Sequence, residues 1–181
     1  MSSRHLLVVL ATFTISAQLY AQPPHEKTSP LAPDSDFVQV ATGNQLGTVQ
    51  LSDIAAQKAS TAMVKTFAKR MVADYRRVND DLNTVAKEEG LKVATSMNAE
   101  SKATFDVLSG LPETQLDQTY IRIMIRQLNG DVVVFQKEAD AGKNSKIRAF
   151  ASSRLSSLKD NLKLARDTAS QMGLTVETTG P

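Results

Sequence analysis

The chain has 181 residues, of which 41% are hydrophobic and 22% charged, with a formal net charge of +2. That is the length and balance of one ordinary globular domain. The chain contains no cysteine. This excludes disulfides, thiolate nucleophiles and Cys-ligated zinc or iron–sulfur centres, and the near-neutral charge gives no reason to expect nucleic acid as a partner.

Residues 1–21, MSSRHLLVVLATFTISAQLYA, have a basic start at Arg4, an apolar run from Leu6 to Ile15 and small residues after it. That layout predicts a secretory signal peptide cleaved after Ala21, with Ala17 as the second site. An uncleaved membrane anchor is the alternative, and the apolar run is short for one. Loss of Arg4 leaves a formal charge of +1. Residues 22–33, QPPHEKTSPLAP, are Pro-rich and without period, as in a flexible leader.

The domain is expected over residues 34–173. Asp34 or Ser35 can cap a first helix running to about Ala59, with Phe37, Ala41, Leu51 and Ala55 on one face. A second helix starts at Ser60 or Thr61. Its stripe is Val64, Phe67, Met71, Tyr75, Val78, Leu82 and Val85, and Gly90 stops it. Asn98 caps a short third helix ending at Ser109. Pro112 fits the first turn of a fourth, whose inner side is Tyr120, Met124, Leu128 and Phe135, flanked by Ile121, Ile125 and Val132. Gly142 ends it. The last helix begins at Ser145 and carries Ile147, Ala151, Leu155, Leu158, Leu162, Ala165, Ala169 and Met172 at heptad-like spacing, before Gly173. Residues 174–181 read as a polar tail. The expected fold is all-α: an antiparallel, ferritin-like four-helix bundle with one additional short helix.

The stretches DFVQVATGNQLGTVQLSDIAAQKAS, VKTFAKRMVADYRRVNDDL, DQTYIRIMIRQLNGDVVVFQKEA and IRAFASSRLSSLKDNL, in this order and at this separation, resemble the exported bacterial proteins grouped as domain-of-unknown-function 4142. The resemblance implies a ferritin-like bundle with inward metal-ligand-like residues: a Glu in the first helix and a His in the second, fourth and last. The matching positions here are Thr48, Tyr75, Leu128 and Asn161, and all four depart from that pattern.

The ligand inventory agrees. The two histidines are His5 and His25, in the signal and the leader, and no Glu-x-x-His pair exists. Asp74 and Asp131 are the inward-leaning carboxylates, each expected to be solvated or salt-bridged. Tyr75 is expected to bury its ring and send its hydroxyl to a partner, with Thr48 and Asn161 as candidates and Leu128 filling the remaining space. The serines of SSRLSSL lack a histidine base. Gly43 and Gly47 suit the close approach of a neighbouring helix, and Gly130 marks either a kink or a tight crossing. No catalytic, cofactor or metal residue is assigned and no cofactor is expected.

The functional expectation is therefore an exported, non-catalytic helical bundle, an interaction or envelope-stress module whose partner is an unknown protein or envelope component. The periplasm is the expected compartment and full secretion the alternative. A carrier of a small apolar ligand, using Met63, Met71, Met124 and Met172, is a second reading. A degenerate ferritin-like metal-binding protein is a third.

Overall fold

The computed structural model describes residues 33–175. The expected signal peptide, nearly all of the expected leader, and the tail beyond Thr175 lie outside these residues. The described chain is helical, without a strand: α1 (Pro33–Lys58), α2 (Ala62–Glu88), α3 (Ala99–Ser109), α4 (Glu113–Ala141) and α5 (Ser145–Gln171). The four long helices are each about 40 Å long at 1.5 Å per residue.

Two antiparallel hairpins, α1/α2 and α4/α5, are closed by three-residue links. They pack through α1 on α4 and α2 on α5. The crossover from α2 to α4 carries α3, which lies against α1 and α4. All four neighbouring pairs of long helices are therefore antiparallel. One long crossover among four helices is the connectivity of ferritin-like bundles.

The stops are chemical. Gly90 and Gly173 take φ of 69° and 68°. There they let Leu91 N–H reach the Ala86 carbonyl at 2.8 Å and Leu174 N–H reach that of Ala169 at 2.9 Å. Thr61 and Asn98 cap α2 and α3 through their side chains as expected. Two start signals act differently. Pro112 stands one position before α4, and its carbonyl accepts from the N–H groups of Gln115 and Leu116. Asp34 lies inside the first turn of α1 and does not cap it. Its Oδ1 accepts from Lys143 N–H at 2.7 Å and Asn144 N–H at 2.9 Å, across the molecule in the α4/α5 link.

Asp117, in the first turns of α4, does the reciprocal job. It accepts from Ser60 N–H, the Ser60 hydroxyl and Thr61 N–H, at 2.8, 3.0 and 2.9 Å, in the α1/α2 link. Each hairpin thus lends a carboxylate to the other's turn. An aromatic contact lies towards each end: Phe37 edge-on to Phe135 at 5.0 Å, and Phe67 to Tyr120 at 6.0 Å.

The expected stripes form the core. Met71, Leu82, Met124, Leu128 and Ile147 are fully buried, and each such side chain contributes about 2 kcal/mol through burial. Val85, Val132, Leu155 and Met172 are only partly buried against the core. The mixed charge runs lie outside, in exposed pairs such as Lys102–Asp106 and Lys163–Asp167 at 2.6 Å, each of small value. No helix among the described residues is long and apolar enough to cross a membrane.

Candidate functional site

The apolar stripe of α1 has a gap between Ala41 and Leu51, and polar residues fill it. Thr42, Gln45 and Thr48 are buried there, and Ser52, just past Leu51, continues them at the three- and four-residue spacing of a helix face. Ser52 is satisfied by Tyr120, whose hydroxyl donates to it at 2.8 Å.

The adjoining face of α1 receives the crossover. Thr42 Oγ1 accepts from Ala94 N–H at 2.9 Å while donating to the Val38 carbonyl at 2.7 Å. Asn98 Nδ2 donates to Asn44 Oδ1 at 2.6 Å. A Cβ on Gly47 would lie 2.5 Å from Ser101 Cβ and Oγ, so only glycine lets α3 sit this close. The close approach expected of Gly43 and Gly47 is to α3 and the segment leading into it.

Between α1, α3 and α4 lies a recess of about 240 Å³, lined among others by Asn44, Thr48, Ser101, Gln127, Gly130 and Asp131. Gly130 is not at a tight crossing: nothing stands within 4 Å of a Cβ built there, and α4 continues through it. It leaves one wall of the recess open.

Asp131 belongs to this recess and is neither solvated nor salt-bridged. It is 4% exposed. Its Oδ2 accepts from the Tyr75 hydroxyl at 2.9 Å, and its Oδ1 from Asn44 Nδ2 at 3.4 Å, a long and weak bond. Burial pushes the carboxyl up to about 6, against the pull of Tyr75 and Asn44. Burial, followed by the neighbouring Asp131 charge, holds the Tyr75 phenol well above its ordinary value, so it is a donor.

Tyr75 therefore stands on the helix stripe to hold an aspartate. Its partner is neither Thr48 nor Asn161. Asn161 faces α2 elsewhere, accepting from Arg70 at 3.4 Å and donating to Asp74 at 3.3 Å. Asp74 is half-buried and 3.7 Å from Arg70, the ion-paired role expected of it. Leu128 is fully buried hydrocarbon. Thr48 Oγ1 and Gln127 Oε1 are both buried without a hydrogen-bond partner. No hydrogen bond joins the four positions Thr48, Tyr75, Leu128 and Asn161 to one another.

The serines of SSRLSSL include two that turn inward on their own helix: Ser153 donates to the Phe150 carbonyl and Ser157 to that of Arg154. Met71 and Met124 are locked in the core, whereas Met63 lines a shallow groove between α2 and α5 with Phe67 and Leu164. Among the described residues no group of three or more His, Cys, Asp or Glu is placed to hold a metal.

Sequence periodicity did not disclose the recess. Asp131 lies one turn beyond Gln127 on α4, and Asn44 one turn before Thr48 on α1. The legible sign was the polar interruption of the α1 stripe, which needs partners or solvent wherever a helix covers it.

Two crystal structures share the fold. A DUF305 fragment from Deinococcus radiodurans superposes with a TM-score of 0.68 at 17% identity, covering 77% of this chain and 96% of its own. A DUF305 protein from Streptomyces coelicolor, described as a candidate secreted protein, gives 0.68 at 15% identity, covering 80% and 96%. No curated protein matches the chain. The family model for DUF4142, a domain of unknown function, matches residues 20–168. That match spans most of the chain, and the protein belongs to the DUF4142 family.

Proposed function

We propose that this protein is an exported, non-catalytic binding module, working in the periplasm, that takes a small polar solute into the recess between α1, α3 and α4. The observation that carries the reading is the pair of buried, unpartnered polar atoms there, Thr48 Oγ1 and Gln127 Oε1, beside the buried Asp131. Orphaned polar groups cost stability; others occur in the bundle, among them both side-chain polar atoms of Gln45, but these two line one recess, which fits a site that is completed by a ligand. Export is supported by the Arg4, Leu6–Ile15 and Ala21 layout. The non-catalytic reading is supported by residue inventory: neither histidine nor cysteine occurs between positions 33 and 175.

Two experiments test it. Protein recovered from the cell envelope is expected to begin at Gln22; a chain retaining Met1 contradicts cleavage. A panel of small polar solutes, screened by thermal shift on the mature chain, is expected to contain members that raise Tm in the wild type but not in a chain whose recess is filled by Gly130→Leu. Equal shifts in both chains place binding elsewhere.

A further inference from the structure

We infer that the recess recognises the primary ammonium group of a small organic solute, seated among Asp131, Thr48 and Gln127. This rests on the binding-module reading and names the chemistry of its ligand.

Helices α1 and α4 run antiparallel, and Asn44 meets Asp131. One turn on along α1 comes Thr48, and one turn back along α4 comes Gln127. The two residues therefore fall in the next layer, facing the same recess. In the first layer the Asp131 carboxylate is held from behind by Tyr75, and its other oxygen has only the long contact from Asn44. In the second layer, Thr48 Oγ1 and the Gln127 carbonyl oxygen accept from nothing.

The unfilled capacity thus includes three oxygen acceptors, one of them charged, and the Thr48 hydroxyl is also an unused donor. A primary ammonium complements the acceptors: one positive charge and three N–H donors. Bonds from a charged donor to a carboxylate are the stronger kind, and more so where the carboxylate is itself buried, as Asp131 is. The charges around the site agree. Asp131 and Glu100 are negative and Arg126 is positive, so one cation neutralises the set. Divalent cations fit poorly, because magnesium and calcium draw on several oxygens and usually more than one carboxylate, whereas one buried carboxylate is present. The volume of about 240 Å³ lies below that of pockets for drug-sized molecules, which limits the solute to a few heavy atoms beyond the ammonium.

The full mature chain is titrated calorimetrically at pH 8 with ethanolamine hydrochloride. Tetramethylammonium, acetamide, and sodium and potassium chlorides serve as matched probes. Ethanolamine is expected to bind, with affinity reduced about 100-fold in Asp131→Asn, about 10-fold in Thr48→Val, and abolished in Gly130→Leu. Thr48→Val is expected to fold at least as stably as wild type, because it removes an orphaned hydroxyl, so its weaker binding cannot come from unfolding. Equal binding of tetramethylammonium, which has no N–H, overturns the inference. So does tighter binding of sodium or potassium. Binding of acetamide alone overturns the ammonium and leaves the binding module standing. If no probe binds, and the wider solute panel gives no shift that Gly130→Leu abolishes, both fall.

Discussion

Asp117 and Asp131 lie on the same helix and are each 4% exposed, yet Asp131 sits deeper in the protein and their carboxyl groups are held in opposite ways. Burial disfavours the charge in both. At Asp117, hydrogen bonds from Thr61 and Ser60 outweigh that penalty, and the carboxyl sits below its ordinary value. At Asp131, two neutral side chains do not, and it rises to about 6. Asp34 repeats the first case, with burial opposed by the Asn144 and Lys143 N–H groups and by Glu138. Backbone N–H groups at helix starts are fixed donors with a favourable dipole. A phenol and an amide supply fewer and weaker bonds. The two end carboxylates are therefore structural clasps, and the middle one retains unused capacity.

Substitutions at the two carboxylates are expected to act in opposite directions. Asp117→Ala is expected to have the largest effect, a loss of about 4 kcal/mol in denaturant unfolding, since it leaves two backbone N–H groups and a hydroxyl without their acceptor. Asp131→Asn is expected to move the other way, gaining about 2 kcal/mol at pH 8. The sign follows from linkage. The folded Asp131 carboxyl keeps its proton up to about pH 6, whereas an unfolded aspartate releases it near 3.8, so wild-type stability falls as pH rises between those values. Glu138 adds to the fall. Burial and then the Asp34 carboxylate raise it from 4.5 to about 7, so stability declines across that interval too. Urea titrations from pH 4 to 8 are expected to show both slopes in the wild type, with the upper part absent in Glu138→Gln. Asp117 behaves oppositely: its contribution is present above about 3.8 and is lost as pH falls through its lowered folded value.

The two glycines flanking the recess give the smaller effects. Gly47→Ala places a Cβ against Ser101 and is expected to cost about 1–2 kcal/mol, loosening α3. Gly130→Ala meets nothing within 4 Å and is expected to gain up to about 1 kcal/mol from helix propensity. Hydrogen exchange of the α3 amides distinguishes them, faster in the first and unchanged in the second.

The bundle was legible because its helices carry long periodic stripes and local stops. Val64 to Leu82, Gly90 and the Asn98 cap are each encoded within a few residues of where they act. The Asp34 and Asp117 clasps were not, because each acts on a link more than fifty residues away, and a short acidic side chain near a helix start reads locally as a cap. The Tyr75–Asp131 bond was hidden for the same reason. At Tyr75 the local pattern suffices for the buried ring and the bonded hydroxyl. The partner depended on which turn of α4 faces which turn of α2, and that is set by the packing of whole helices.

Asp131 is a buried carboxylate held by Tyr75 at the floor of a recess, and the chemistry of the recess depends on it. Side-chain carboxyl 13C NMR on the mature chain tests it most directly, with the resonance assigned by its absence in Asp131→Asn. A titration midpoint near pH 6 is the result predicted here. A midpoint at or below 3.8, that of a solvated or ion-paired aspartate, would contradict it.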